Sequence, residues 1–344
     1  MNDSTTMKHQ HYKVGWISAL PTEMAAAEGM LDELHEPLPL QRDSQDQNTY
    51  TLGRIGLHNV VLACLPAEVT GTISAARVAT QMLSSFKWLR FGLMVGIGGG
   101  VPSENDDIRL GDVVVSKPTA TFGGVIQYDF GQTVQNGRFE PTGSLNRPPD
   151  VLLGAVSSLQ AKHMREGHKL SEHLAEMVKR YPRMASQFTY PGTQHDHLYE
   201  AKYDHPTGQA TCSRCDVSRL TKRKLRLLTD PVIHYGLIAS GDRAMNHGPT
   251  RDQLRKELDV LCFETEAAGL MDSFPCLVIR GICDYADSHN DKRWQPYAAA
   301  MAAAYARELL YVVSGDQIME LDHVTHLSDA GMWAMKAAAA VIRG

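Results

Sequence analysis

Val278-Ile279-Arg280-Gly281-Ile282-Cys283-Asp284-Tyr285-Ala286-Asp287 is a stretch in which an apolar strand closes on an arginine and an aspartate. Its beginning, Cys276–Arg280, reads as a buried strand. Ionisable groups at the end of such a strand are costly unless paired or used. The pattern already occurs once upstream, in Cys262-Phe263-Glu264-Thr265-Glu266-Ala267-Ala268. There the strand Val260–Phe263 runs into two carboxylates at the start of an expected helix, Glu264–Met271. Acids in a first helical turn often do no more than complement the helix dipole. Here the strand ahead is wholly apolar, which puts the junction at a sheet's carboxyl edge, where open α/β folds bind ligands. Two such strand ends in one sheet make a cleft of convergent charge.

Outward from that cleft, strands and helices alternate. Lys13–Ser18 reads as a strand, followed by a helix that Pro21 opens and Glu23 suits at its positive end. Thr49–Leu65 alternates around Gly56 as a hairpin. A helix over Thr70–Gln81 leads to the strand Phe91–Val95, which ends in Gly96-Ile97-Gly98-Gly99-Gly100. That glycine run is either a tight turn or a place where backbone amides approach a ligand oxygen. It is not a dinucleotide fingerprint, since Val101-Pro102 follows where a helix should open, nor a Walker loop, lacking Gly-Lys-Ser/Thr. After Arg109–Ser116, a turn feeding a β-branched strand, the pattern weakens over about 118–230. That region holds turns, two helices and a polar segment, Gly192–Asp216, and reads as an insertion in one domain spanning 12–314. Order resumes with the strand Val232–Ser240, a helix over Thr250–Glu257, and the long Ala-rich helix Trp294–Val313. The alternation predicts an α/β fold with a mixed, mostly parallel sheet. Residues 1–11 read as a frayed tail and 315–344 as a helical appendage.

Composition narrows the function. The chain has 344 residues, with 34 Lys+Arg against 39 Asp+Glu, a net charge of −5 that leaves no broad electrostatic footprint for nucleic acid. The longest greasy stretch, Pro296–Val313, carries Arg307 and Glu308 and does not read as a membrane span. Six cysteines are too few for a disulfide scaffold, and Cys64, Cys262, Cys276 and Cys283 stand in apolar surroundings. A reducing, cytoplasmic location is expected.

Six blocks together resemble the purine nucleoside phosphorylase and methylthioadenosine nucleosidase superfamily: Val14–Glu23, Gly96–Gly100, Arg109–Ser116, Ser240-Gly241-Asp242, Phe263–Ala268 and Arg280–Asp287. Their order and spacing match over roughly 13–313. The chain is most similar to the fungal branch, through Gln127–Gly131, His234–Gly241 and Trp294–Ala299. The resemblance implies a three-layer α/β/α sandwich and cleavage of the N-glycosidic bond of a purine nucleoside, with no cofactor. It implies a homo-oligomer, a dimer first.

Breaking that bond leaves an oxocarbenium-like sugar and a base that needs a proton. Asp284 falls on the family's base-protonating aspartate and Glu266 on its ribose-binding glutamate. Met245 and the backbone around Thr265 match pocket walls. Gly98, Gly99, Ser240, Asp242, Glu264 and Cys283 fall at the substrate by the same match. The phosphorylase branch meets phosphate with arginines and a serine. Here those positions carry Glu23, Met94 and Ile97. Glu23 is what the nucleosidase branch carries to hold and activate water, and Arg280 matches an arginine near that water. Hydrolysis is therefore expected over phosphorolysis. The alternatives are a phosphate-dependent enzyme, a nucleosidase of ATP-type nucleotides drawing on Arg243, Lys292 and Arg293, and a catalytically dead ligand-binding module. Intact Glu23, Glu266 and Asp284 argue against the last.

Cys212-Ser213-Arg214-Cys215, with His195, His197 and His205 upstream, offers metal-type ligands. One CxxC without a second equally suits a surface loop, so no metal is assigned. Cys212, Cys215, His197 and His205 remain the candidates. His234, inside an apolar strand, reads as a core residue, and His247 as a candidate substrate contact.

Overall fold

The computed structural model describes residues 7–39, 45–134, 139–208, 211–321 and 324. Its strands in chain order are β1 (Val14–Ser18), β2 (Glu33–His35), β3 (Tyr50–Ile55), β4 (His58–Cys64), β5 (Phe91–Gly100), β6 (Val113–Ser116) and β7 (Val125–Gln127). A separate two-stranded ribbon pairs β8 (Gly131–Thr133) with β9 (Phe139–Pro141). The main sheet is completed by β10 (Ile233–Ser240), β11 (Val260–Glu264) and β12 (Cys276–Asp284). Its order is β11-β10-β6-β12-β5-β1-β4-β3-β2, with β7 beside β10 and β11 also meeting β5. Most pairs are parallel; β5–β11, β6–β12 and the β2-β3-β4 meander are antiparallel. The mixed, mostly parallel sheet expected from the alternation is present.

The helices are α1 (Pro21–Gly29), α2 (Thr72–Ser85), α3 (Asp150–Glu166), α4 (Leu170–Arg180), α5 (Ala185–Phe188), α6 (Gly248–Leu258), α7 (Trp294–Val312) and α8 (Gly315–Glu320). Helix α7 lies on β12 and β5 with α1, α3 and α4 around it, while α2 packs on β1 and β4. The result is an α/β/α sandwich. The alanines of α7 from Ala298 to Ala304 are buried, which lets its backbone press onto the sheet. At Gly281 a Cβ would stand 1.9 Å from the Ala298 carbonyl oxygen, so β12 requires glycine where the helix crosses. The charges that interrupt α7 are paired. Arg307 meets Asp32 at 2.8 Å, and Glu308 accepts from Lys169 N at 2.7 Å and meets His163 at 2.7 Å. No helix among the described residues is long and apolar enough to cross a membrane.

Four expectations change. The glycine run is not a turn: β5 continues through Gly100, pairing with β12 on one side and β11 on the other. Glu264–Met271 is not a helix but a strand end followed by a single 3-10 turn, Ala267–Gly269. The Glu264 carboxylate captures the N–H groups of Glu266 (3.1 Å) and Ala267 (3.0 Å), and Gly269 is pressed against the Thr72 carbonyl. In the expected tail, the part 7–11 is ordered, with a 3-10 turn at His9–His11 and the His11 carbonyl accepting from Asn59 at 3.3 Å, while 1–6 lies outside the described residues. Finally, α3 and α4, expected in an insertion, bury Leu152, Leu159, Leu174 and Met177 in the main core. The stretch 325–344 of the expected appendage lies outside the described residues.

Candidate active site

The carboxyl ends of β1, β5, β11 and β12 bring the candidate residues together. Glu23 stands in the first turn of α1, because Pro21 starts the helix directly after β1. Its Oε2 accepts from Ala19 N (2.7 Å) and Leu20 N (3.0 Å), while Oε1 reaches across to Ile97 N at 2.8 Å. The side chain is buried beside Arg280. A Cβ on Gly96 would be 2.4 Å from Glu23 Oε1 and 2.6 Å from Arg280 Nη1, so this glycine makes room for both. Burial raises the Glu23 pKa, opposed by Arg280 and the three N–H donors.

Arg280, fully buried in β12, is shared among acids. It ion-pairs tightly with Glu264 and lies 3.6 Å from Glu266 Oε2, with Glu23 as a third negative neighbour. Burial alone would lower its pKa; the three carboxylates hold it above the ordinary value. Burial pushes Glu266 up to about 7, with Arg280 opposing the shift and Glu264 and Glu23 adding to it. Glu266 Oε1 accepts from the Thr265 hydroxyl and from Gly71 N at 3.4 Å.

Asp284 ends β12 at the rim of a cavity of about 230 Å³. Its Oδ1 accepts from Ala286 N at 2.9 Å, and the Cys283 thiol donates to Oδ2 at 3.3 Å. Ala286 takes φ 51°, a left-handed conformation that turns its N–H back onto the carboxylate. Burial raises the Asp284 pKa, with the Ala286 N–H bond opposing it. A Cβ on Gly99 would be 2.6 Å from Asp284 Oδ1, so the glycine run of β5 serves close approach along its length.

The same cavity is lined by Gly98, Gly99, Met245, Glu264, Thr265 and Cys283, as expected from the sequence. Phe263, Asn290 and Gln295 also line it and were not singled out. Gln295 had a signal, standing in the Trp294–Ala299 stretch of closer likeness, while Asn290 sits in a loop with no pattern of its own. Glu23, Glu266 and Arg280 are not among the lining residues of that cavity, and two further expected contacts are engaged elsewhere. Ser240 is buried and accepts from Ala268 N at 2.9 Å, which holds the turn behind Glu266. Asp242 accepts from Thr72 N at 3.1 Å and from its hydroxyl, capping α2, and is absent from the cavity wall. His247 bonds Thr250 at the start of α6. His234 meets Asp112 at 3.0 Å in the core, as its strand setting suggested. Of the metal candidates, Cys212, Cys215 and His205 come together, with ligand atoms within 4.8 Å of one another; His197 is outside that group.

A buried arginine among three carboxylates, Asp284 at the cavity rim and a glycine-lined strand thus stand together at one end of the sheet. The chain belongs to the phosphorylase superfamily, which it matches over residues 13–312. It is 45% identical over 321 residues to a nucleotide-binding leucine-rich repeat (NLR)-like protein of Hyaloscypha variabilis, covering 93% of this chain and 31% of that protein. It is 26% identical over 312 residues to the 5'-methylthioadenosine/S-adenosylhomocysteine nucleosidase of Mycobacterium tuberculosis, covering 86% of this chain and 95% of that one. It is 23% identical to the ATP nucleosidase Cap17 of Escherichia coli, covering 86% of this chain and 50% of that protein. The chain thus spans about a third of the Hyaloscypha protein and half of the Escherichia coli one. Among solved structures, the 5'-methylthioadenosine/S-adenosylhomocysteine nucleosidase of Helicobacter pylori superposes with a TM-score of 0.55 at 15% identity, covering 88% of this chain and 98% of that one. This likeness is one of fold.

Proposed function

We propose that the chain is a purine nucleoside N-ribohydrolase that releases the free base from adenosine-like nucleosides with water. The observation that carries this is Glu23: its carboxylate takes the Ile97 N–H at 2.8 Å beside Arg280, at the position where the phosphorylase branch meets phosphate. Three carboxylates around one guanidinium leave an anionic site, which disfavours a phosphate dianion and suits a water that must give up a proton. Met94, at a second phosphate position, is buried and offers no donor.

In this reading Asp284 delivers a proton to the purine N7 as the C1′–N9 bond breaks. Glu266 accepts hydrogen bonds from the ribose hydroxyls and stabilises the positive charge on the sugar. Water held by Glu23 and Arg280 bonds to C1′, and its proton passes to Glu23. Base, ribose and both protons are then accounted for.

A second reading is cleavage of a nucleotide such as ATP. Exposed Arg243 adjoins the cavity residues Ala244 and Met245, and its guanidinium has no ion-pair partner among the described residues. The nucleosidase relatives, which include an ATP nucleosidase, support both readings. A cytoplasmic homodimer completes the proposal, with a solution mass of twice 38.0 kDa as its check. The test of function is base release from adenosine, methylthioadenosine and ATP in phosphate-free buffer. Adenine from any of the three supports hydrolysis, and their relative rates choose the substrate. No adenine from any of them contradicts the proposal.

A further inference from the structure

The polar segment that the reaction does not use gathers its own chemistry. Cys212–Arg214 forms a 3-10 turn closed by Cys215 N donating to the Cys212 carbonyl at 3.1 Å. The Cys212 and Cys215 sulfurs and a ring nitrogen of His205 lie within 4.8 Å of one another. Both thiols are free, and Cys215 is buried. His205 Nδ1 lies 3.1 Å from the Pro206 carbonyl, which can only accept, so Nδ1 donates and Nε2 keeps its lone pair.

An independent observation comes from the other side of the same cavity. His289, in the loop after β12, is buried, and among the described residues neither of its ring nitrogens has a hydrogen-bond partner. Its ring is stacked on Tyr199 at 4.1 Å and on Tyr203 at 5.3 Å, with the His205 ring at 5.5 Å. Nδ1 lies 3.5 Å from Asp287 Oδ1 without a hydrogen bond between them. His289 and Cys212 line one cavity of about 570 Å³, which also touches Asp284. A buried imidazole with unmet nitrogens, facing a cavity that Cys212 also lines, has no account in the hydrolytic site.

We infer that Cys212, Cys215, His205 and His289 bind a structural zinc ion that fastens the 192–216 segment to the loop following Asp284. Two thiolates and two imidazoles are the donor set that selects zinc among abundant divalent metals. Tetrahedral zinc, with bonds of about 2.0 Å to nitrogen and 2.3 Å to sulfur, wants ligand atoms about 3.3–3.8 Å apart. The three gathered atoms lie within 4.8 Å of one another, and the His289 ring, which stands outside that group, would have to move in with them on metal binding. Zinc would bind both sulfurs as thiolates, releasing their protons. The segment and the loop are already joined by His205 N donating to Ser288 Oγ at 2.9 Å. The metal would complete that joint, and the inference is independent of which glycosidic bond the protein cleaves.

The test uses the full chain carrying no histidine tag, exposed to zinc and passed through gel filtration. Elemental analysis should find one zinc per chain, and the Cys212→Ser/Cys215→Ser double variant should retain less than a tenth of it. The wild-type protein loaded with cobalt(II) should show a thiolate-to-metal charge-transfer band and the strong visible absorption of a tetrahedral site, a readout that needs no variant to fold. His289→Ala should keep the charge-transfer band but bind cobalt at least tenfold more weakly. Wild-type protein with less than a tenth of a zinc per chain, or with Cys212 and Cys215 joined in a disulfide, would overturn the site. So would a double variant that keeps its zinc. An unchanged cobalt affinity in His289→Ala would overturn the fourth ligand.

Discussion

Asp284 and Glu266 carry opposite requirements. Asp284 must hold a proton to give to the base, and Glu266 must be ionised to accept from the ribose. Burial raises both pKa values, Glu266 to about 7. Protonating Glu266 removes an acceptor, so kcat/KM should rise as pH increases through about 7. It should fall again on the alkaline side as Asp284 loses its proton. Glu266→Gln should remove the Glu266 share of the acid-side limb, leaving that of Glu23, which must be ionised to take the water proton, and lower kcat/KM by about 10²–10³. Asp284→Asn should abolish turnover with the circular dichroism spectrum unchanged; full activity in that variant would remove Asp284 from its role. These two residues were legible because ionisable groups closing an apolar strand demand an explanation. Ser240 and Asp242 close a strand too, yet their partners are Ala268 N and Thr72, which lie far off in sequence and which no local pattern announces. Phe263 was visible only as strand core, although it also forms a cavity wall.

At the scale of elements, strand β5 illustrates what a pattern can and cannot give. The sequence marks Gly96–Gly100 as special but leaves a turn and a ligand approach equally open. Only the neighbours decide: β12 and β11 flank the run and keep it extended, and the side chains of Glu23, Arg280 and Asp284 occupy the space a Cβ would need. Gly96→Ala should therefore displace Glu23 and Arg280. The expected destabilisation is about 1–3 kcal/mol, with a fall in kcat/KM of at least tenfold; the checks are thermal melting and steady-state kinetics. Unchanged stability and activity would mean that the close approach is not needed. The helix expected over Glu264–Met271 fails for a related reason. Acids, alanines and Leu270 suit a helix locally, and the Glu264 side chain caps the Glu266 and Ala267 N–H groups as an N-cap would, but the turn ends at Ala267–Gly269, where Gly269 lies against the Thr72 carbonyl of α2.

For the molecule as a whole, the three layers followed from the family resemblance, while the alternation of strands and helices was enough to anticipate the mixed sheet, since local periodicity sets it. The contribution of α3 and α4 to the main core was not, because their apolar faces say that something is covered but not that α7 is what covers it. The arrangement has one electrostatic consequence that spans the fold. The first turn of α1 and the ends of β11 and β12 deliver Glu23, Glu264, Glu266 and Arg280 to one point, three carboxyl groups around one guanidinium, where the proposed reaction holds its water. The most direct measurement is the rate of adenine release from the preferred adenine nucleoside at phosphate concentrations from zero upward, with the sugar product identified by chromatography. The predicted result is adenine and free ribose, or ribose bearing the substrate's own 5′ group, at a rate independent of phosphate. Adenine that appears only with phosphate, alongside a sugar 1-phosphate, would contradict the role given to Glu23 and the hydrolytic reading with it.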